Sequence, residues 1–544
     1  MANLENADKY NLKRFVDAQE CMYEAALREV ASGRKHSHWM WYVFPQLAEL
    51  GRSQTAKYYG ISGICEARAF LEHEVLSRRL REICKALLAC GSNNAREVFG
   101  HPDDLKLRSS MTLFEAADPE ESVFGEVLDA FFRGERDEET IRLLSYERNI
   151  EADPQESEDY LKAKREIERR EMFLSKIQGA LIGGAVGDAL GYAVEFMSVD
   201  EIHRTFGPDC IMEYKLDGQG MARFSDDTQM TLFTANALLI GDTRGCMRGV
   251  GGPYASYCNK TYLDWLYTQD HSFHGYPDVS WLLTVKELHK RRAPGNTCLA
   301  ACRTGFGSIE NPANNSKGCG GVMRVAPIGL YWVNYRYCNG EDLLDFVVQD
   351  AAECAALTHG HPLGYISAGA FAYIVNRIAY EIPEDCDRRL GMLQEIVDDC
   401  CASLARWFPD HAADAGYQAA LLQRACRLAG RSGEDSDLIT EIGEGWVGEE
   451  MLAVAVFACL RHPNDFSAAV RAAVNHSGDS DSTGSVCGNI MGAMLGLDAI
   501  GAEWTERLEL FDLIMEVAKD LCDVCQMEEY CSYYDEVWWS KYGR

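Results

Sequence analysis

Hydrophobic positions recur at helical spacing along most of this 544-residue chain. From residue 173 onward, apolar residues repeat three and four positions apart, which is the pattern of helices with one buried face. Alternating apolar and polar positions, as in strands, are scarce. The pattern predicts a mainly α fold, in which an all-helical domain follows a smaller, mainly helical domain. The longest helices predicted for the later domain are residues 228–239, 343–356, 364–380, 392–408, 449–459 and 507–525.

A charged segment divides the chain, which is too long for one ordinary hydrophobic core. The part before it has helical stretches at residues 12–31 and 65–89. The segment itself lacks a buried-core pattern but places opposite charges four residues apart, so we predict a solvated linker helix after a break at Asp153 and Pro154. The predicted parts are a small helical domain at residues 8–145, a charged linker helix at 146–172 and a main domain at 173–544.

The composition of the chain indicates which classes of protein it can belong to. The chain has 53 Lys and Arg against 84 Asp and Glu, a formal net charge of −31, so we expect no strong binding of duplex nucleic acid. We see no signal peptide and no run of about 18 apolar residues, so we expect no membrane span. The 21 cysteines are scattered, and Cys522 and Cys525 lack a second pair to complete a zinc site. We expect reduced, mostly buried thiols in a cytoplasmic protein.

Two segments carry glycine at every fourth position, which places each set on one face of a helix. An interior glycine lowers helix propensity by about 1 kcal/mol relative to alanine, so such a face indicates a backbone packed very close to it. A membrane dimer face is the alternative, but polar residues interrupt both segments. We therefore predict two helices buried against each other at the centre of the main domain. The glycines are Gly179, Gly183, Gly187 and Gly191 in the first segment and Gly484, Gly488, Gly492 and Gly496 in the second.

Two Asp-rich segments each precede a predicted helix. Asp226 and Asp227 follow Ser225, and Asp479 and Asp481 alternate with hydroxyl residues. Either segment alone is explained by helix capping, since Asp and Ser are good N-caps. Carboxylates and hydroxyls are also the hard oxygen ligands that Mg²⁺ and Mn²⁺ prefer. Two such helix starts in one all-helical domain favour a shared metal site.

A third acidic feature ends the first glycine-rich segment. Asp188 and Glu195 are seven positions apart, so on an α-helix both would project from one face. A carboxylate at the end of a buried helix is unfavourable unless it is paired or meets a cation. The alternative is a helix end exposed to solvent.

Five segments occur in the order of a known family, the ADP-ribosylglycohydrolases, which the chain resembles over residues 173–525. They are GALIGGAVGDALGYAVE, FSDDTQMTL, KGCGGVMRVAPIGL, LTHGHPLGYISAGA and GDSDSTGS. The resemblance implies an all-α domain with two Mg²⁺ or Mn²⁺ ions in a central cleft. It implies hydrolysis of an ADP-ribosyl N- or O-glycosidic bond, with release of ADP-ribose from a modified protein, nucleobase or small acceptor. The alternative is a protein that binds ADP-ribose or a nucleotide without catalysis and carries an N-terminal interaction module.

The resemblance also implies roles for individual residues. The implied metal ligands are Ser225, Asp226, Asp227, Asp479, Asp481 and Ser482. The implied catalytic residues are Glu195, Asp227 and Asp479, with the glutamate as general base or water-positioning group. The implied contacts with ADP-ribose are Gly318, Cys319, Gly320, Gly321 and His359. Many relatives have Asn in place of Cys319, which leaves the contact with the ribose open.

The N-terminal segment contains a dense aromatic run, GRKHSHWMWYVFPQL at residues 33–47. Aromatic side chains bury well, so the run is either core or a stacking platform for a nucleotide, with Lys35, His38 and Gln46 as polar partners. Residues 10–144 resemble a small bacterial helical family of unknown function that is distantly similar to the NADAR superfamily. This resemblance implies a second module that handles ADP-ribose. The alternative for this segment is a protein-interaction module that recruits a substrate.

Overall fold

A computed structural model describes residues 10–37, 39–50, 54–100, 102–150, 154–249, 251–331, 341–380, 387–527 and 534–543. The chain divides into two compact units, Met1–Glu168 and Arg169–Arg544. About 70% of the protein is helical, and the described ranges contain three isolated β-bridges but no strand. The predicted mainly α fold is therefore confirmed. Within these ranges, no helix is both long and apolar enough to cross a membrane.

The first unit is built from short and medium helices around its own apolar core. Its helices are α1 (Lys13–Ala31), α2 (Met40–Val43), α3 (Gln54–Tyr58), α4 (Ile64–Glu72), α5 (Glu74–Leu88), α6 (Ala95–Phe99), α7 (Asp103–Ala117), α8 (Ser122–Phe132) and α9 (Glu138–Ile150), with a 3₁₀ turn at Ala48–Leu50. The helical stretch predicted at residues 65–89 is divided into α4 and α5. His73 has extended backbone (ψ 116°), and its ring accepts a hydrogen bond from the amide of Leu76, so one helix ends there and another begins.

The aromatic run of the first unit lies in its core. Trp39, Tyr42 and Phe44 are at most 8% exposed, and the Trp39 ring contacts Phe44 and Phe99 at centroid distances of 6.3 and 6.2 Å. Lys35, suggested as a polar partner of a ligand, instead pairs with Asp103 at 2.7 Å. These contacts support the core interpretation over the stacking platform. The suggested partner His38 lies outside the described residues.

The second unit is also helical. Its α-helices are α10 (Pro154–Gly191), α11 (Val199–Phe206), α12 (Asp226–Arg248), α13 (Tyr254–Gln269), α14 (Asn296–Thr304), α15 (Ala326–Tyr331), α16 (Glu341–Ala356), α17 (Pro362–Tyr380), α18 (Asp387–Trp407), α19 (Ala412–Ala429), α20 (Asp435–Thr440), α21 (Gly448–Arg461), α22 (Phe466–Val474), α23 (Ser480–Leu495), α24 (Ala502–Thr505), α25 (Phe511–Asp523) and α26 (Glu536–Tyr542). Short 3₁₀ turns lie at Trp281–Thr284, Lys286–His289, Cys319–Gly321, Pro409–His411 and Leu497–Ala499. Helix α10 begins in the first unit and ends in the second.

The six long helices predicted for the main domain all occur, as α12, α16, α17, α18, α21 and α25. Of the predicted break at Asp153 and Pro154, Asp153 lies outside the described residues, and Pro154 is the first residue of α10, a position where proline is favourable because it lacks an amide hydrogen. From there α10 continues without interruption to Gly191, so the charged helix and the glycine-rich helix are one element. We did not expect this continuity.

Helices α10 and α23 contact each other backbone to backbone. A Cβ atom added at Gly484 would lie 2.6 Å from the carbonyl oxygen of Gly187, and one added at Gly179 would lie 2.5 Å from that of Gly492. Added Cβ atoms at Gly183 and Gly488 would overlap backbone of the facing helix as well. The predicted close packing of the two glycine faces is therefore confirmed. It brings the carboxyl end of α10 against the amino end of α23.

We expect Gly187→Ala to destabilise the second unit by about 3 kcal/mol, because the methyl group would force the two backbones apart. Gly416→Ala is the matched control, since Gly416 is interior to α19 and nothing lies within 4 Å of an added Cβ. There we expect a gain of about 0.5–1 kcal/mol from helix propensity. Denaturant unfolding of both variants measures the difference. Equal effects of the same sign would contradict the close packing.

Candidate active site

The first Asp pair lies at the start of α12. Ser225 is the N-cap, and its hydroxyl accepts a hydrogen bond from the amide of Asp227 at 3.2 Å. The Asp226 Oδ2 atom accepts from the amide of Gly295 at 3.1 Å. The Asp227 Oδ2 atom is buried and has no hydrogen-bond partner within the described structure. Helix capping thus accounts for the serine at position 225, but it does not account for the buried, unpartnered carboxylate oxygen of Asp227.

Asp188 of α10 fastens the start of α12. Its carboxylate accepts from the amide of Ser225 at 2.7 Å and from the amide and hydroxyl of Thr228 at 3.0 and 2.6 Å. The side chain is fully buried. A buried carboxylate with three donors is a structural link, so Asp188 positions the first Asp pair.

The second Asp pair lies where α23 begins. Asp479 is the N-cap of α23, and its amide donates to the carbonyl of Glu444 at 2.9 Å. Gly191 packs against this start so closely that an added Cβ would lie 2.6 Å from the Cα of Asp481. The glycine packing of α10 therefore sets the position of the second pair. The Asp479 Oδ2 atom is buried and, like that of Asp227, lacks a partner among the described residues.

Glu195 lies in a turn just beyond α10, which ends at Gly191, and not on the helix as predicted. Its amide donates to the carbonyl of Gly191 at 2.9 Å, and this turn directs the side chain toward α23. Ligand atoms of Glu195, Asp479 and Asp481 lie within 4.8 Å of one another. The Glu195 Oε2 atom is a third buried oxygen without a partner in the described ranges.

The electrostatics of this cluster are unfavourable without a cation. Burial, and then the charge of Asp481, raise the pKa of Asp188 to about 7. The same two causes raise the pKa of Glu195 to about 10 and the pKa values of Asp227 and Asp479 well above the ordinary range. No lysine or arginine is among the groups that shift these pKa values. A divalent cation would relieve the repulsion.

The residues present fit a hard divalent cation. Carboxylate oxygens of Asp227, Asp479 and Glu195 are buried and unpartnered, and oxygen is the ligand atom that Mg²⁺ and Mn²⁺ prefer. The cluster offers the carboxylates of Glu195, Asp479 and Asp481, whose ligand atoms lie within 4.8 Å of one another. The structure brings Glu195 together with Asp479 and Asp481, and the charge of Asp481, after burial, raises the pKa of Asp227 in a segment about 250 positions away. Metal binding by the full set of predicted ligands stays a prediction.

The glycine-rich loop lies beside the second Asp pair. The Cys319 amide donates to the carbonyl of Trp446 at 3.3 Å, and the Gly448 amide donates to the carbonyl of Lys317 at 2.9 Å. Burial, and then the charges of Asp479 and Asp227, raise the pKa of the Cys319 thiol well above its ordinary value. His359 lies behind the loop, since a Cβ added at Gly320 would be 3.0 Å from its Cε1 atom.

His359 is buried and uncharged. Burial, and then the charge of Arg324, lower the pKa of His359 to about 3. Its Nδ1 atom lies 2.8 Å from the hydroxyl of Thr358. Arg324 is itself fully buried, donates to the Thr358 hydroxyl at 2.7 Å and lies over the Tyr262 ring at 4.5 Å. Arg324 therefore supports the wall of the site and does not face the carboxylates.

Two aromatic side chains lie at the rim of the cluster. Phe196 follows Glu195 directly and is 71% exposed, with a left-handed backbone (φ 67°). Its ring stacks on Trp446 with a centroid distance of 5.5 Å. The sequence does not predict a role for either residue, because their exposure and stacking depend on how the loop of Phe196 meets the loop of Trp446.

Two family descriptions match the sequence. A model of the ADP-ribosylglycohydrolase family matches residues 169–531, more than half of the chain. The chain belongs to the ADP-ribosylglycohydrolase family. Residues 9–144 match a second family, described as a protein of unknown function (DUF1810). Both resemblances drawn from the motifs are thereby confirmed, whereas the distant NADAR relation stays a prediction.

Named relatives in the ADP-ribosylglycohydrolase family are distant. ADP-ribosylhydrolase ARH3 of Danio rerio is 24% identical over 65% of this chain and 91% of its own length. ADP-ribosyl-[dinitrogen reductase] glycohydrolase of Rhodospirillum rubrum is 25% identical over 61% of this chain and 90% of its own. ADP-ribosylarginine hydrolase Tri1 of Pseudomonas putida (strain GB-1) is 24% identical over 65% and 79%.

Asp188 is the residue whose role the sequence analysis missed. The helical spacing places Asp188 on one face with a second carboxylate, but it does not predict the contact of Asp188 with α12. A signal was present, because a carboxylate among the glycines of a buried helix requires buried hydrogen-bond donors. The identity of those donors was not readable, since they lie 37 and 40 positions away.

Without divalent cations, we expect Glu195→Gln to gain stability over the wild type as pH rises from about 5 to about 9. The pKa of Glu195 is raised from 4.5 to about 10 in the folded protein. In that window the unfolded chain therefore binds fewer protons than the folded one, and the stability of the wild type falls as pH rises. Glutamine removes this dependence.

Thermal unfolding midpoints in EDTA at several pH values measure the effect. Glu213→Gln is the control, because Glu213 is exposed and is not among the residues of the cluster. Adding Mg²⁺ should raise the wild-type midpoint most at high pH. A difference between Glu195→Gln and wild type that does not change with pH would contradict the buried position of this carboxyl.

Proposed function

We propose that the main domain hydrolyses an ADP-ribosyl N- or O-glycosidic bond and releases ADP-ribose from a modified protein, nucleobase or small acceptor. Membership of the ADP-ribosylglycohydrolase family supports the reaction class. The observation that carries the proposal is the convergence of Glu195, Asp479 and Asp481, whose ligand atoms lie within 4.8 Å. Such a cluster, with buried unpartnered oxygens, suits metal-assisted cleavage of a glycosidic bond.

In this proposal, two Mg²⁺ or Mn²⁺ ions are held by the two helix starts. The ligands are Ser225, Asp226, Asp227, Asp479, Asp481 and Ser482. The bound cations would orient the ribose hydroxyl groups and compensate the negative charge of the cluster. Of these six residues, Asp227 and Asp479 have the most direct support as metal ligands, because their Oδ2 atoms are buried and have no hydrogen-bond partner in the described structure.

Glu195 is the proposed general base. Its Oε2 atom is unpartnered, and the turn after α10 directs it toward the cluster, where it can accept a proton from the water that attacks the anomeric carbon. The carboxylates of Asp227 and Asp479 would stabilise the positive charge that develops on the ribose. The acceptor then leaves, and ADP-ribose is the other product.

The glycine-rich loop and His359 are the proposed contacts for ADP-ribose. The amide of Gly318 donates to the hydroxyl of Ser316 at 3.3 Å, and the amide of Cys319 donates to the carbonyl of Trp446. We therefore propose the amides of Gly320 and Gly321 as the donors to a phosphate group of the ligand. His359 is neutral in its buried position and would contact the ligand through the Nε2 atom.

We propose the domain bounds as predicted, with residues 8–145 as an accessory domain, 146–172 as the linker and 173–544 as the catalytic domain. The accessory domain would recruit the modified substrate. Comparing the full chain with a chain that begins at residue 154, over a panel of substrates, tests this role, and equal activity on every substrate would contradict it. The cytoplasmic location stays a prediction.

Two of the relatives are named for their substrates, a dinitrogen reductase and an ADP-ribosylated arginine. We therefore propose an ADP-ribosylated protein as the first substrate to test. A panel with defined linkages to arginine, serine, a nucleobase and a small acceptor identifies the acceptor.

We expect Asp479→Asn to lower ADP-ribose release by at least about 100-fold, because it removes a metal ligand worth several kcal/mol in the transition state. Asp498→Asn, at an exposed position in the turn that follows α23, should retain activity. EDTA should abolish release by the wild type, and Mg²⁺ or Mn²⁺ should restore it. Release is measured by chromatography of free ADP-ribose.

The same assay separates the enzyme from a non-catalytic binding protein. A protein that binds ADP-ribose but releases none from any substrate, with or without Mg²⁺ and Mn²⁺, would contradict hydrolysis and favour the binding alternative. Full activity of Asp479→Asn would contradict the metal assignment.

A further inference from the structure

We propose that the loop at residues 290–295, here called the strap, is a positioning element of the metal site that holds the Asp226 carboxylate in the orientation that binds a divalent cation. The strap connects the 3₁₀ turn at Lys286–His289 with α14. The inference rests on the metal site of the proposed function and extends it to residues outside the ligand set. A ligating carboxylate keeps its orientation only when another group holds it by a hydrogen bond.

The contact with the ligand itself comes from Gly295, the N-cap of α14. Its amide donates to the Asp226 Oδ2 atom at 3.1 Å. Asp226 is 4% exposed, so little water can compete for this bond. A donor on one oxygen fixes the rotation of the carboxylate and thereby sets the direction of the other oxygen. The amide of Gly295 therefore orients a proposed metal ligand.

Arg292 anchors the middle of the strap. Its guanidinium group donates to the carbonyl of Phe224 at 3.0 Å and to a carboxylate oxygen of Glu509 at 2.9 Å. Glu509 is 2% exposed and also pairs with Arg223. A guanidinium group that donates to two acceptors at once has a fixed orientation. Arg292 thus attaches the strap to the backbone two positions before Asp226.

The beginning of the strap is attached on the other side of the ligand. The carbonyl of Lys290 accepts from the side-chain amide of Gln229 at 2.9 Å. Gln229 is fully buried, and its Oε1 atom accepts from Trp265 and Gln269 of α13 at 3.2 and 2.9 Å. Gln229 lies three positions after Asp226 on α12. The strap is therefore hydrogen-bonded to this segment before, at and after the ligand.

The backbone of the strap has an unusual conformation between two of these contacts. Ala293 is left-handed (φ 47°), a conformation that residues with a side chain rarely adopt. Such a conformation persists only where the surrounding contacts impose it, and it occurs most often at functional sites. Here the contacts of Arg292 and Gly295 lie on either side of it. This conformation supports a loop that is held in one shape.

Two substitutions at Gly295 isolate the role of its amide. Gly295 has φ −56°, which proline also adopts, so Gly295→Pro removes the donor and places a ring carbon against the Asp226 carboxylate. Gly295→Ala keeps the amide. Its Cβ would lie 3.8 Å from the Cys298 sulfur and 3.9 Å from the Asp226 Oδ2 atom, which are ordinary contact distances. Gly295→Ala is therefore the matched control.

Titration of the full chain with Mn²⁺ measures the effect, since the electron paramagnetic resonance signal of the free ion is lost on binding. We expect Gly295→Pro to bind Mn²⁺ at least about tenfold more weakly than the wild type, and Gly295→Ala to bind it with the wild-type affinity. Equal affinities of Gly295→Pro and the wild type would overturn the proposal. An equal loss in Gly295→Ala would overturn it as well, because alanine retains the donor.

A second pair of variants separates positioning from stability. Arg292→Met and Arg223→Met each remove one partner of Glu509, so both should lower the unfolding midpoint in EDTA. Only Arg292 also holds the Phe224 carbonyl, whereas Arg223 pairs with Asp217. We expect the folded Arg292→Met protein to bind Mn²⁺ at least about tenfold more weakly, and Arg223→Met to keep most of its affinity. Parallel losses of affinity in the two variants would overturn the positioning role.

The strap and the proposed hydrolysis fail in different ways. If ADP-ribose release depends on Mg²⁺ but Gly295→Pro and Arg292→Met retain their Mn²⁺ affinity, hydrolysis stands and the role of the strap is wrong. If both variants lose Mn²⁺ affinity but the wild type releases no ADP-ribose from any substrate, the strap positions a metal ligand and the proposed hydrolysis is wrong. Absence of Mn²⁺ binding by the wild type would overturn the strap and the metal assignment together.

Discussion

The close contact between α10 and α23 is the constraint on which the candidate site depends. The helices approach so closely that a Cβ atom at seven of the eight glycines would overlap the opposite backbone, and one at Gly496 would meet the side chain of Ser175. At the end of this contact, Gly191 lies against Asp481, so the second Asp pair is placed beside the turn that carries Glu195. Any larger side chain along the contact would move the two helices apart and separate the carboxylates.

One helix organises both halves of the cluster by different means. Helix α10 positions α23 through shape, since the glycines allow backbone contact, and positions α12 through hydrogen bonds, since Asp188 accepts from Ser225 and Thr228. Acidic side chains are thereby brought together in a buried region, where burial and the repulsion between their charges raise the pKa of Glu195 to about 10. The fold thus maintains an unfavourable arrangement of charge that a bound cation relieves. Sites of this kind trade stability for function.

The other side of the candidate site is formed by loops that are hydrogen-bonded to one another. The residues around Trp446 bind the glycine-rich loop on one side and the start of α23 on the other. In this arrangement burial, and then the charges of Asp479 and Asp227, raise the pKa of the Cys319 thiol well above its ordinary value. Arg324 and His359, both buried, support the wall from behind.

The sequence by itself determined the helices, the close packing and the candidate ligands, because each depends on local spacing. Apolar periodicity predicted the long helices, glycine at every fourth position predicted the backbone contact, and Ser225 before two aspartates predicted a capped helix start. Only the tertiary structure decided which groups meet. The partners of Asp188, the turn that ends α10 before Glu195 and the burial of Trp39 depend on packing or on residues that are distant in sequence. Local patterns carry no information about such pairs, because they form only when separate elements pack together.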